Sequence, residues 1–95
     1  MKAWVGLYEC TCRIFGSASL KDKRRVLKSI KTKIQNRYNL SVAEVGHQNS
    51  WQFAKLAFAA VGSQRNLVER ELRRGSRLLE SSSDIEILDD QVTIV

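Results

Sequence analysis

A chain of 95 residues, 43% of them apolar and none of them proline, has room for one domain around a single modest core, and is too apolar for a disordered segment. No apolar run approaches the roughly 20 residues of a membrane-spanning helix. The start, Met1-Lys2-Ala3-Trp4-Val5-Gly6, lacks the apolar stretch and small-residue cleavage site of a secretory leader, so the expectation is one cytoplasmic domain over residues 1–95, away from membranes. The net charge of +6 is unevenly placed: residues 1–47 hold ten Lys/Arg against three Asp/Glu, and residues 48–95 hold six against seven. Such a lopsided basic half fits a polyanionic partner, with a merely solvated helix face as the plainer reading.

Tyr8, Cys10, Cys12 and Ile14 alternate with Glu9, Thr11 and Arg13, which predicts a strand over residues 4–15. A loop, Gly16-Ser17-Ala18-Ser19, follows. Ser19 reads as the N-cap of a helix with Asp22 as its capping-box partner. That helix extends to residue 38, with Leu20, Leu27, Ile30, Ile34 and Tyr38 on one stripe. Lys21, Arg24, Arg25, Lys28 and Lys31 gather opposite, while Lys23, Lys33 and Arg37 lie nearer the apolar side. Asn39 is expected to end the helix in a left-handed conformation.

A second strand, residues 40–46, and a third, residues 51–61, flank the turn His47-Gln48-Asn49-Ser50 and read as a hairpin, with Ala54, Leu56, Phe58 and Ala60 facing the core. Asn66 and Glu69 fit a second capping box, opening a helix that runs to residue 80. Its buried stripe comprises Val68, Leu72 and Leu79, with Leu67 and Leu78 at the edges and Gly75 within it, where a glycine permits close approach to a sheet. Arg70, Arg73, Arg74 and Arg77 lie outside. Ser81-Ser82-Ser83 breaks this helix, and residues 85–95 read as the last strand. The order βαββαβ predicts a ferredoxin-like α+β sandwich, two helices on one face of a four-stranded antiparallel sheet. The other sheet face would carry Leu7, Glu9, Thr11, Arg13, Trp51, Phe53, Lys55 and Ala57, and an exposed Trp51–Phe53 pair there points to subunit pairing or base stacking.

No reaction centre stands out. Cys10 and Cys12 on one strand face sit roughly 6.5–7 Å apart, near or beyond the reach of an unstrained disulfide, and a single histidine supplies too few ligands for a metal. The two cysteines read as core residues, and no metal or cofactor is implied. His47, with Glu44, Gln48 and Trp51, forms a second polar patch without a defined role: a phosphate or base contact, a proton carrier paired with Glu44, or simply a turn.

Two segments resemble the signature stretches of the YlxP-like family of small bacterial proteins: Ser19-Leu20-Lys21-Asp22-Lys23-Arg24-Arg25-Val26-Leu27-Lys28-Ser29-Ile30-Lys31, and Ser41-Val42-Ala43-Glu44-Val45-Gly46-His47-Gln48-Asn49-Ser50-Trp51-Gln52. Phe15, Asn49 and Phe53 depart from the family's common proline, aspartate and arginine. The resemblance implies a ferredoxin-like fold and a homodimer. Through the frequent neighbourhood of its genes with those of translation initiation and ribosome maturation, it also implies work near ribosomal RNA. It carries no activity to transfer.

The expectation is therefore a non-catalytic RNA- or ribosome-associated protein. A basic helix start, itself suited to anions, would place Lys21, Lys23, Arg24, Arg25, Lys28 and Lys31 on phosphates. The alternatives are an adaptor that docks an acidic protein surface in translation or ribosome maturation, and a small phosphate-ester or acyl-phosphate enzyme. The enzyme reading rests on fold analogy to acylphosphatase, whose loop chemistry is not matched by the single glycine and absent arginine of Phe15-Gly16-Ser17-Ala18-Ser19.

Overall fold

The computed structural model describes residues 2–95. Strand β1, Trp4–Ile14, leads through a short loop to helix α1, Leu20–Arg37; the hairpin strands β2, Ser41–Gly46, and β3, Phe53–Gly62, precede helix α2, Arg65–Ser81, and strand β4, Ile85–Ile94. The sheet order is β2-β3-β1-β4, every neighbouring pair antiparallel. This is the expected ferredoxin-like arrangement.

Alternation decides what β1 buries. Tyr8, Cys10, Cys12 and Ile14 face the helices with Ala54, Leu56, Phe58 and Ala60 of β3. Leu27, Ile30 and Ile34 of α1, and Val68, Leu72, Leu78 and Leu79 of α2, close over them. Two glycines set how closely α2 and its neighbours pack. A methyl group on Gly6 would lie 2.5 Å from Val68 Cγ1, and one on Gly75 would lie 3.0 Å from the buried Phe58 ring, so both positions are filled by neighbours rather than empty.

Each edge strand carries one extra residue. Glu44 pairs with Leu56 and Gly46 with Lys55, so Val45 bulges from β2. Asp89 pairs with Thr11 and Ile87 with Cys12, so Leu88 bulges from β4. The second bulge brings Asp90 to the helix side, where the Tyr8 hydroxyl donates to its carboxylate at 3.1 Å. Burial pushes the Tyr8 phenol up, and the negative groups around it add to the effect.

Two caps differ from expectation. Asn39 takes no left-handed turn: α1 ends in an extended Tyr38, and the Asn39 N–H donates to Glu71 at 3.2 Å. Helix α2 starts after Gln64 with no side-chain cap, and Glu69 pairs with Arg65 instead of serving a box with Asn66. At the first cap Ser19 is the N-cap as read, accepting the Asp22 N–H on its Oγ at 3.1 Å, while the Asp22 carboxylate accepts the N–H of Ala18, one residue before the expected donor.

Candidate nucleic-acid interface

Charge separates between the two layers. Helix α1 carries Lys21, Lys23, Arg24, Arg25, Lys28, Lys31, Lys33 and Arg37, and α2 carries Arg65, Arg70, Arg73, Arg74 and Arg77. Against these thirteen cations the helices hold only Asp22, Glu69, Glu71 and Glu80. The helical layer is thus strongly positive, while the strands and loops together are slightly negative.

Lys21, Arg24, Arg25 and Lys28 are exposed, and Lys31 is half-buried. Among the described residues none of the five has a carboxylate partner within ion-pair distance. From Lys21 to Lys31 they span about 15 Å of helix. Arg24, Lys28 and Lys31 also form one wall of a shallow groove of about 260 Å³ beside β2, with Thr32, Gln35 and Glu44. The end of α1 itself is less open to anions than its sequence implies. The Asp22 carboxylate already accepts the Ala18 N–H there at 3.1 Å, so any anion would meet the flank of the helix rather than its terminus.

Lys23 departs from the expected set. It is 1% exposed, and its ammonium donates to the carbonyls of His47 at 2.8 Å, Ser50 at 2.5 Å and Phe53 at 2.8 Å. The Glu44 carboxylate lies 2.7 Å away. Three N–H bonds serve three carbonyls, so Glu44 balances the charge without an ordinary hydrogen bond, and its Oε2 has no other partner among the described residues. Lys23 is therefore unavailable to an external phosphate, and Glu44 is committed to Lys23 rather than to His47. The position was open to reading: residues 20, 23, 27, 30 and 34 form one helical stripe, but the charge of Lys23 argued for the surface.

This contact joins the two signature segments. Lys23 lies in the first; Glu44, His47 and Ser50 lie in the second. The loop they hold is further tied by Ser50 Oγ, which accepts the Phe53 N–H at 3.1 Å, and His47 adopts a left-handed backbone with φ 56°. Gln48 reaches back to the Glu44 carbonyl at 3.3 Å.

Trp51 belongs to this loop and not to the sheet, so the expected Trp51–Phe53 pair on the open sheet face does not form. Phe53 does begin β3, with the His47 ring 6.2 Å and the Arg13 guanidinium 5.9 Å from its centroid. Trp4, at the far end of β1, has the Lys2 ammonium 4.1 Å and the Arg65 guanidinium 5.7 Å from its ring centroid.

Both thiols are free and buried. The hydrogen bond with Cys10 and burial push the Cys12 thiol up, which keeps it protonated and inert. The same bond draws Cys10 down, but its sulfur has almost no exposed surface.

The fold and the layered charge define an α+β sandwich with a basic helical face. Residues 5–92 match the model of a family described as "Protein of unknown function (DUF503)", and the chain belongs to that family. It is 44% identical over 82 residues to the uncharacterized protein YlxP of Bacillus subtilis (strain 168), an alignment covering 86% of this chain and 89% of that one. Among solved structures it is similar to the de novo designed protein Foldit4, with TM-score 0.58 and 12% identity over 99% of this chain and 97% of that one. It is also similar to the protein YJCS, with TM-score 0.50 and 6% identity over 94% and 96%. At those identities the structures speak for the fold alone. Among the described residues no helix is long and apolar enough to cross a membrane.

Proposed function

We propose that this protein binds RNA, in association with the ribosome or its precursors, through the exposed flank of α1. The observation that carries this reading is the run of Lys21, Arg24, Arg25, Lys28 and Lys31 without an ion-pair partner among the described residues. Unpaired cations on a rigid helix meet phosphates at fixed spacing and read no sequence. If all five engage duplex RNA, the plot of log binding constant against log salt should have a slope of about −4.5, and a single strand should give about −3.5. A binding constant that stays flat between low and physiological salt, measured by fluorescence anisotropy, excludes this surface. Partners that survive ribonuclease in a pull-down, with no RNA recovered, would favour the adaptor reading.

A second proposal concerns the uncovered sheet face, which we infer pairs with another copy of the chain. Val5 and Val61 are register partners there, 42% and 59% exposed, beside Leu7 and Ala59. The strip is bordered by charges of both signs, Lys55 with Glu9 and Arg13 with Glu86, so two such faces meet without net repulsion. Leu7→Lys should convert a dimer to a monomer in sedimentation equilibrium. An unchanged mass for the variant, or a monomeric parent at high concentration, contradicts the pairing.

A further inference from the structure

Phosphate contact along α1 leaves unexplained a group of aromatic side chains at the adjoining end of the molecule. Phe15 is 47% exposed and Trp51 43% exposed, and they are the two exposed Phe, Trp or Tyr side chains among the described residues, the others being buried or half-buried. Their loops are joined directly, the Ile14 N–H donating to the Gln52 carbonyl at 2.7 Å. Beside Phe15 lies an open cleft of about 380 Å³ with Arg13, Ser17, Gln52 and Phe53 also in its walls, and Trp51 immediately precedes Gln52 in the chain. The indole is not carried on a loose loop. The carbonyls of Ser50 and Phe53, one on each side of Trp51, are both held by Lys23, and Lys23 sits in α1 between Lys21 and Arg24.

We propose that this end takes unpaired bases of single-stranded RNA. Trp51 and Phe15 supply the stacking faces, and Lys21, Arg24 and Arg25 hold the neighbouring phosphates. The inference rests on the RNA reading above and narrows it. Bases in a duplex already stack on one another, so an exposed indole adds affinity only where bases are splayed out. A second copy of the chain is a poor occupant: two such ends would bring the first turns of both α1 helices together, with Lys21, Arg24 and Arg25 set against the same cations of the other copy. The buried ammonium matters here because it orders the loop before binding, removing much of the entropy cost of immobilising it afterwards.

The test uses the full chain with Trp4→Phe, so that Trp51 is the only fluorescent indole. The probes are a ten-nucleotide oligoadenylate and a hairpin duplex with the same number of phosphates. The single strand should quench Trp51 and bind about tenfold more tightly than the duplex at equal salt. The pair Trp51→Ala with Phe15→Ala should weaken the single strand about tenfold without changing the salt slope, and Trp51→Phe should recover most of the loss. Both aromatic positions are exposed, and an unchanged circular dichroism melt establishes that the variants fold. Equal affinity for the two probes, or a single-strand affinity indifferent to the aromatic pair, overturns the base site and leaves the phosphate surface standing. No binding of either probe at low salt overturns both. Tighter binding of polyglutamate than of RNA, with the same quenching of Trp51, overturns both in favour of an acidic protein partner.

Discussion

Lys23→Met should cost the protein about 3–5 kcal/mol of stability, the largest effect expected of a single substitution here. A methionine fills most of the space of the lysine stem but offers no donor. The carbonyls of His47, Ser50 and Phe53 would lose their shared partner, and the Glu44 carboxylate would keep a buried oxygen with no cation beside it. Leaving buried acceptors and a charge unsatisfied is more costly than never having buried them. For a chain of this size the melting midpoint should fall by roughly 12 °C or more, read by circular dichroism. Glu44→Gln should cost less, because the three carbonyl bonds survive and only the charge balance goes. A fall below about 4 °C for Lys23→Met, again by that scaling, would show that the ammonium is not what holds the 47–53 loop.

Reversing Lys21, Arg24 and Lys28 together to glutamate should abolish RNA binding while leaving the fold intact. All three side chains are exposed and form no ion pair among the described residues, so the change removes no packing. Glutamate at position 21 also suits the start of a helix and has Arg25 one turn away, which compensates for the new acidic neighbours at 24 and 28. The net charge falls from +6 to zero. Three attractive phosphate contacts become three repulsive ones, and affinity at about 50 mM salt should drop by at least about a hundredfold. Titration of labelled RNA against the triple variant reads this directly. Retained binding with an unaltered salt slope would move the interface away from α1, to the arginines of α2 or elsewhere. The Lys23 and charge-reversal variants also separate two roles of neighbouring residues on one helix, since the first should lose stability and the second affinity.

Elements of the fold were legible wherever neighbouring residues decide the outcome. The alternation from Tyr8 to Ile14 and from Ala54 to Ala60 identifies the buried face of each central strand, because side chains in a strand must point to opposite sides. Ser19 with Asp22 announces the start of α1 because the cap is made within four residues. Local signals misled at the other caps. Asn39 and Asn66 have the right chemistry for helix ends, but Tyr38 already ends α1 in an extended conformation, and Glu69 is drawn to Arg65. The bulges at Val45 and Leu88 had no reading from the sequence, since an extra residue is defined only against the partner strand. The alternating run that begins just after Trp51 predicts that residue on the sheet. The loop that removes it is shaped by Lys23, far away in the chain.

By itself the amino-acid sequence settled the order of elements, the core-facing positions and the concentration of basic residues on α1, all consequences of periodicity and composition. The tertiary structure decided which of those cations face water. Lys21 and Lys23 are two residues apart and chemically identical; an ammonium is taken inside only where enough acceptors converge on it, and those acceptors come from 24, 27 and 30 residues further along the chain. No local pattern encodes that convergence. It exists only once α1 has packed against the sheet and brought the β2–β3 loop over its first turns.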